Sequence, residues 1–271
     1  KTLLKYGCRS LLTAVAVIAL MISDGVTPQA SAADDADYTI TVIPKGPTHD
    51  FWQSVHAGAI KAQKELAEKK DVKLNIVWQG PLREDDRNSQ IQVVQANVAK
   101  GVSAIVLAPL DSRSLRNPVR MANSRKIPVV IIDSDIERKG VDLVSFVATD
   151  NYKGGKLAGE EMARILDGKG NVVMLRYAVG SASTEAREKG FVDAIKEFEG
   201  IKLISDNQYA GATAETAREK SGSMLTGLKD QKIDGIYCPN ESSTFGMLRT
   251  LQERNLAGKI KFVGFDSSPK L

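Results

Sequence analysis

From residue 38 onward, short runs rich in Val, Ile and Leu alternate with helical patterns almost without a break, and nothing else in the chain limits its fold so tightly. Strand patterns fall at 39–44, 72–78, 104–108, 129–133, 143–148, 171–176, 201–205, 233–238 and 260–265. Helical patterns near 53–69, 89–100, 113–125, 154–166, 184–199, 213–228 and 243–254 lie between most of them. In the first, Val55, Ala59, Ala62 and Leu66 recur at helical spacing and give one apolar face that can bury against a sheet. Repeated strand, helix, strand units build parallel sheets covered by helices on both faces, so the expected class is α/β and doubly wound.

An internal echo divides these units in two. "AIVLAPLDSRSL" (104–115) and "DGIYCPNESSTF" (234–245) both read as a strand, a proline, a polar residue, a carboxylate, a serine and a helix start. Two lobes built alike follow, one over 38–148 and one over 149–271, changing over where "FVATDNYKGGK" leaves a strand and enters a helix. Polar residues gather at the carboxyl ends of strands. Lys45 and His49 follow the first, Asp133 and Asp135 the fourth, Asn240 and Glu241 the eighth, and Asp266 the ninth. Open parallel sheets bind ligands at this edge, so facing lobes would enclose a cleft lined by these groups.

Residues 1–32 stand apart. Lys1, Lys5 and Arg9 precede an apolar run from Leu11 to Ile22, and Ala30-Ser31-Ala32 suits signal peptidase, which predicts export with cleavage near Ala32. The run is short of the roughly 20 residues that span a bilayer. Without Lys1, Lys5, Arg9 and Asp24 the chain carries 34 basic and 32 acidic residues, a net charge of +2. That gives no support for nucleic acid or an anionic membrane as partner. Losing Cys8 also leaves Cys238 as the only thiol, so no intramolecular disulfide can form, and a small buried side chain is expected there.

Catalytic templates find no match. "NYKGGKLAG" lacks the upstream glycine of a phosphate-binding loop, and "VGSASTEAR" is not a nucleophile elbow. His49 and His56 are the only histidines and have no companion ligand at metal spacing, so neither a catalytic set, a metal nor a cofactor is expected. The remaining residues suit a polyhydroxy compound. Hydroxyls donate to carboxylates and accept from Arg, Lys and amides, while the C–H face of a sugar ring lies against an aromatic plate. Phe51 and Trp52, placed in the loop before the first helix, would be the plates; Lys45, Asp133, Arg187, Asn240 and Asp266 would hydrogen-bond the ligand.

Several ordered segments carry a resemblance: "HDFW", "IPVVIIDSD", "ATDNYKGGKLAGE", "SASTEAREKGF", "CPNES" and "KFVGFDSSP". From Tyr38 to Leu271 the chain resembles the ribose/galactose-type periplasmic sugar-binding proteins that feed ABC transporters. The resemblance implies two lobes joined by a hinge that close over a ligand in the cleft between them. It puts His49 where the family often has a ligand-binding Asn, and Phe51 and Trp52 on its stacking aromatics. Asp133 falls on a sugar-hydroxyl carboxylate, Arg187 on the arginine that opens R-x-x-G-F, Asn240 on the amide and Asp266 on the aspartate of Gly-Phe-Asp. Ser134 and Asp135 stand where ribose-type members carry an Arg, a change that favours a ligand rich in donors. Ala212 occupies the place of a third aromatic, for which Tyr209 is the substitute. "IPK", "QGPLREDD" and "DSD" look more like the branch that binds rhamnose or autoinducer-2, so pentose, hexose, deoxysugar and polyol all stay open.

The implied protein is a periplasmic monomer, not an enzyme, that delivers a monosaccharide or polyol to the membrane permease of an ABC importer. A chemoreceptor is a further possible partner, and nucleic acid is not one. Family members continue past Gly-Phe-Asp and return to the first lobe, so that lobe is expected to be incomplete at Leu271. Two alternatives are the ligand-binding domain of a sensor or lac-repressor-like regulator and an exported doubly wound hydrolase. Plainer roles accompany the sharp ones: Trp52 as a helix staple, Trp78 as packing, Arg187 as a surface partner of Glu185 or Glu188, and Asp111 and Glu241 as helix-start acids.

Overall fold

A computed structural model describes residues 37–70 and 72–271; the expected leader over 1–32 lies outside the described residues. The first sheet holds β1 (Tyr38–Ile43), β2 (Leu74–Trp78), β3 (Ala104–Leu107), β4 (Val129–Ile132) and β5 (Ser145–Val147). Their order is β2-β1-β3-β4-β5 and every pairing is parallel, with Val42 opposite Trp78 on one side and Val106 on the other. The second sheet holds β6 (Lys169–Arg176), β7 (Gly200–Tyr209), β8 (Gly235–Cys238) and β9 (Lys261–Gly264) in the order β7-β6-β8-β9, again all parallel. The second order repeats the first four places of the first. The strands of the two echoed segments, β3 and β8, accordingly occupy equivalent positions.

Helices α1 (Asp50–Lys70), α2 (Arg87–Lys100) and α3 (Arg116–Ser124) connect the first sheet. α4 (Asn151–Ile165), α5 (Ala182–Ile195), α6 (Ala214–Gly227) and α7 (Glu241–Glu253) serve the second. Local chemistry marks their ends. Asp86, Asp150 and Asn240 accept from the backbone N–H of Ser89, Lys153 and Ser243, Thr213 and Thr216 form a capping box, and Gly101 closes α2 in the left-handed region. The strands bury β-branched and aliphatic side chains: Ile43, Ile105, Leu107 and Ile131 in the first lobe, and Val173, Leu175 and Ile236 in the second. Cys238 is buried among the latter group, as its small apolar character predicts.

Some boundaries differ from the periodicity. α1 begins at Asp50, so Phe51 and Trp52 lie in its first turn and not in a loop; Gln53 N–H already donates to His49 O, and no glycine or proline stands between them. α3 starts late because Asp111 accepts from the N–H of Arg113 and Ser114 and holds them in a turn. β7 runs on to Tyr209, with register shifts along β6 absorbing its extra length.

In both sheets the order reverses between neighbours, at β1/β3 and at β6/β8, and a doubly wound sheet opens a crevice at that switch point. The loops after β1 and β4 and after β6, β8 and β9 converge there.

Candidate functional site

Asp133 and Asp266 follow the equivalent strands β4 and β9, with φ of 62° and 70°. Left-handed backbone is costly for a residue with a Cβ, and Asp tolerates it better than most. Each turn sends its carboxylate into the crevice, one from each lobe.

Lys45, at the end of β1, is buried and reaches across the crevice. Its Nζ lies 2.8 Å from Asp133 Oδ2 and donates to Ser134 Oγ (2.6 Å) in its own lobe, and to Ser181 and Ser183 Oγ (3.3 Å each) at the start of α5 in the other. Arg187, on α5, is only 4% exposed. Nε donates to Asn151 Oδ1 (2.8 Å) and Nη1 to Pro239 O (2.9 Å), while Asp266 Oδ2 is 3.6 Å away and the Phe265 ring lies under the guanidinium at 3.8 Å. Nη2 donates to no described residue, so both of its N–H groups remain for the cavity. The exposed-helix alternative, pairing Arg187 with Glu185 or Glu188, does not describe this side chain. Burial raises the pKa of Asp266 more than Arg187 and the Glu241 N–H lower it.

Glu84 lies in the loop after β2 and is nearly buried. Its Oε1 accepts from Trp52 Nε1 (2.6 Å) and lies 2.8 Å from His49 Nδ1, and Oε2 accepts from Tyr177 OH (2.6 Å), which belongs to the other lobe. Burial pushes the Glu84 carboxyl up, but His49, Tyr177 and Lys45 more than offset that and leave it lowered. Burial pulls His49 down, yet the bond and charge of Glu84, with Glu241 and Glu215, leave it raised. Tyr177 is held well above the usual phenol by burial and by the adjacent anion. Glu241, in the first turn of α7, accepts from Phe51 N–H (3.0 Å) and adds another bond between the lobes. Among the described residues no group of three or more His, Cys, Asp and Glu side chains is placed to hold a metal ion.

Residues 40–271 match the family described as periplasmic binding protein domain. The chain belongs to this family. A D-ribose/D-allose-binding protein of Pseudomonas aeruginosa is 30% identical over 232 residues, 84% of this chain and 70% of that one. A carbohydrate transporter solute binding protein of Agrobacterium radiobacter, solved in complex with D-arabinose, is 33% identical with a TM-score of 0.79, over 87% of this chain and 78% of that one. An ABC transporter solute binding protein of Agrobacterium vitis with bound D-fucose is 31% identical with a TM-score of 0.78, over 86% and 78%. These relatives are transport proteins that bind sugars.

In this periplasmic binding protein domain, eight of the residues named from sequence meet at one cavity: Lys45, His49, Phe51, Trp52, Asp133, Arg187, Asn240 and Asp266. Ser134 stands behind Lys45, 1% exposed, with its Oγ 2.6 Å from Ser183 Oγ. Asp135 turns away, because the left-handed turn at Asp133 (φ 62°) breaks the alternation that would otherwise put residues two apart on one side; it accepts from Ile136 N–H and pairs with Arg138 at 2.8 Å. Tyr209 is also elsewhere, on the edge strand β7, where its OH accepts from Arg176 Nη1. Phe51 and Trp52 meet edge to face at 4.9 Å and 81°, a corner and not two parallel plates. Trp52 is 2% exposed, so packing accounts for part of its role.

Glu84, Tyr177, Ser183 and Thr184 complete the lining and were outside the set named from sequence, while Glu241, expected there as one of the strand-end groups, lines it too. The strand-end rule that selected Lys45 and Asp133 applies equally to the loop after β2 and to Tyr177 after β6. A full census of strand ends would have found both.

Proposed function

We propose that this protein captures a monosaccharide or related polyhydroxy compound between its two lobes and delivers it to the membrane permease of an ABC importer. One observation carries the reading: acceptors and donors from both lobes, Asp133 and Lys45 from one, Arg187, Asn240 and Asp266 from the other, line a single cavity with an aromatic corner beside them. Sugar hydroxyls both donate and accept, and this arrangement can satisfy both functions at once.

The free space among these side chains is about 30 Å³, room for a few waters. A ring therefore enters by exchange: the lobes part, and its hydroxyls replace bonds such as Lys45 to Ser183 when they close again. The change-over at 148/149 is the hinge in this reading, and residues 1–32 direct export to the periplasm. No helix among the described residues is long and apolar enough to cross a membrane, which is compatible with a free monomer there. The absence of a matched catalytic template supports return of the ligand unchanged. A chemoreceptor could read the closed form as well as the permease.

The test is calorimetry with D-ribose, D-allose, D-arabinose and D-fucose on the parent, Arg187→Ala and Asp133→Ala. Truncating one partner of a desolvated charged hydrogen bond costs about 2–5 kcal/mol, so each variant should bind roughly 30-fold to several thousandfold more weakly. Turnover of bound sugar seen by mass spectrometry, or no binding across an extended panel of sugars and polyols, would sink the reading.

A further inference from the structure

Glu84 stands between three donors. Two of the donors, His49 Nδ1 and Trp52 Nε1, come from the start of α1 in its own lobe, and the third, Tyr177 OH, comes from the opposite lobe. Tyr177 is 2% exposed and its backbone N–H is tied to Glu188 Oε1 at 3.0 Å, so the phenol sits on a fixed base. Glu84 and Tyr177 also line two spaces at once: the central cavity, and a wider groove bordered by Asp85, Asp86, Arg87 and Ala212. Their hydrogen bond is part of the wall between the two. Separating the lobes must break it, and breaking it opens the cavity sideways into the groove.

We propose that Glu84 is a positioning residue for His49 and Trp52, and that its bond to Tyr177 is the latch that holds the closed lobes together and sets how long a ligand stays. The proposal rests on the reading that this cavity captures its ligand by lobe closure. In the closed form Glu84 fixes His49 through Nδ1, which leaves Nε2 as the ring nitrogen available to a ligand, and it holds the Trp52 indole against the Phe51 edge. In the open form the same carboxylate loses its third donor while keeping the first two. Ligand recognition and lobe closure therefore share one residue, and losing the Tyr177 hydroxyl should speed release while Glu84 keeps both donors from its own lobe.

Tyr177→Phe tests the latch, with Tyr209→Phe as a control on a surface phenol. Stopped-flow tryptophan emission would follow mixing and dilution of the tightest binder among D-ribose, D-allose, D-arabinose and D-fucose, and solution scattering would give the radius of gyration with and without it. A hydrogen bond to a charged acceptor is worth enough that losing it should speed dissociation about 10- to 150-fold, with the association rate unchanged. Tyr177→Phe should also show a larger radius than the parent, and Tyr209→Phe should match the parent in both. Glu84→Gln, which keeps an oxygen for Tyr177, should release ligand more slowly than Glu84→Ala. If none of the four sugars binds the parent, the latch is judged by ligand-free scattering alone, where a larger radius for Tyr177→Phe supports it and an equal radius overturns it. With a sugar bound, an unchanged dissociation rate together with an unchanged radius overturns it.

Discussion

Gly155→Ala should damage the site without touching it. A Cβ on Gly155 would lie 1.9 Å from the carbonyl oxygen of Arg187, and one on Gly190 would lie 2.1 Å from that of Tyr152, so α4 and α5 cross backbone against backbone. Ordinary contact begins near 3.4 Å, so the helices must part by about 1.5 Å to admit one methyl group. The bond from Arg187 Nε to Asn151 Oδ1 spans the same crossing at 2.8 Å and would not survive that shift. Overpacking costs about 1–3 kcal/mol and a charged hydrogen bond about 1.5–3, while Ala in place of Gly within a helix returns about 0.5–1. The net expectation is roughly 2–5 kcal/mol of lost stability, with sugar affinity falling as Arg187 moves. Urea unfolding followed by circular dichroism, beside calorimetry, measures both. Gly58→Ala in α1 is the reference, because nothing lies within 4 Å of its added Cβ and it should be slightly stabilising. If Gly155→Ala is as stable as Gly58→Ala and binds like the parent, the close crossing does not position Arg187 and the reasoning fails.

Two further outcomes separate packing from binding and give the protein a pH signature. Trp78 stacks on His56 at 4.5 Å and 20°, away from the cavity, so Trp78→Ala should cost about 1–3 kcal/mol of stability, less than a fully buried aromatic, and leave affinity intact. Trp52→Phe should instead weaken binding, because it removes the indole donor to Glu84; calorimetry and melting of both variants check the contrast. Glu188 is raised from 4.5 to about 7 by burial, which the Tyr177 N–H and Arg176 only partly offset. The folded state then keeps a proton that the unfolded chain has released, so stability is lost as pH rises from about 4.5 to about 7, on the order of 3 kcal/mol in all. His49, also raised, adds loss above about pH 6.5, whereas Glu84, lowered, withdraws stability as pH falls below about 4.5. The melting temperature should therefore fall between about pH 5.5 and pH 8, and Glu188→Gln should flatten that slope. An equal slope in parent and variant would show that Glu188 is not its source.

What the amino-acid order determined is what local periodicity and strand-end chemistry can encode. Apolar strands spaced by amphipathic helices fit a parallel, doubly wound sheet, and the echo between 104–115 and 234–245 corresponds to two strands in equivalent places, β3 and β8. Polar groups at the carboxyl ends of strands, such as Lys45, Asp133 and Asp266, converge because every parallel strand presents that end to the same edge. Tertiary structure decided which of these side chains face each other. Asp135 carries the same carboxylate as Asp133 two residues away, yet one turn of backbone at φ 62° sends them in different directions. Trp52 reads as a free plate in sequence but spends its N–H on Glu84, and Glu84 takes its third donor from a tyrosine 93 residues away in the other lobe. The Glu84–Tyr177 pairing depends on the distance between the two lobes when closed, a quantity that no periodicity within either lobe contains.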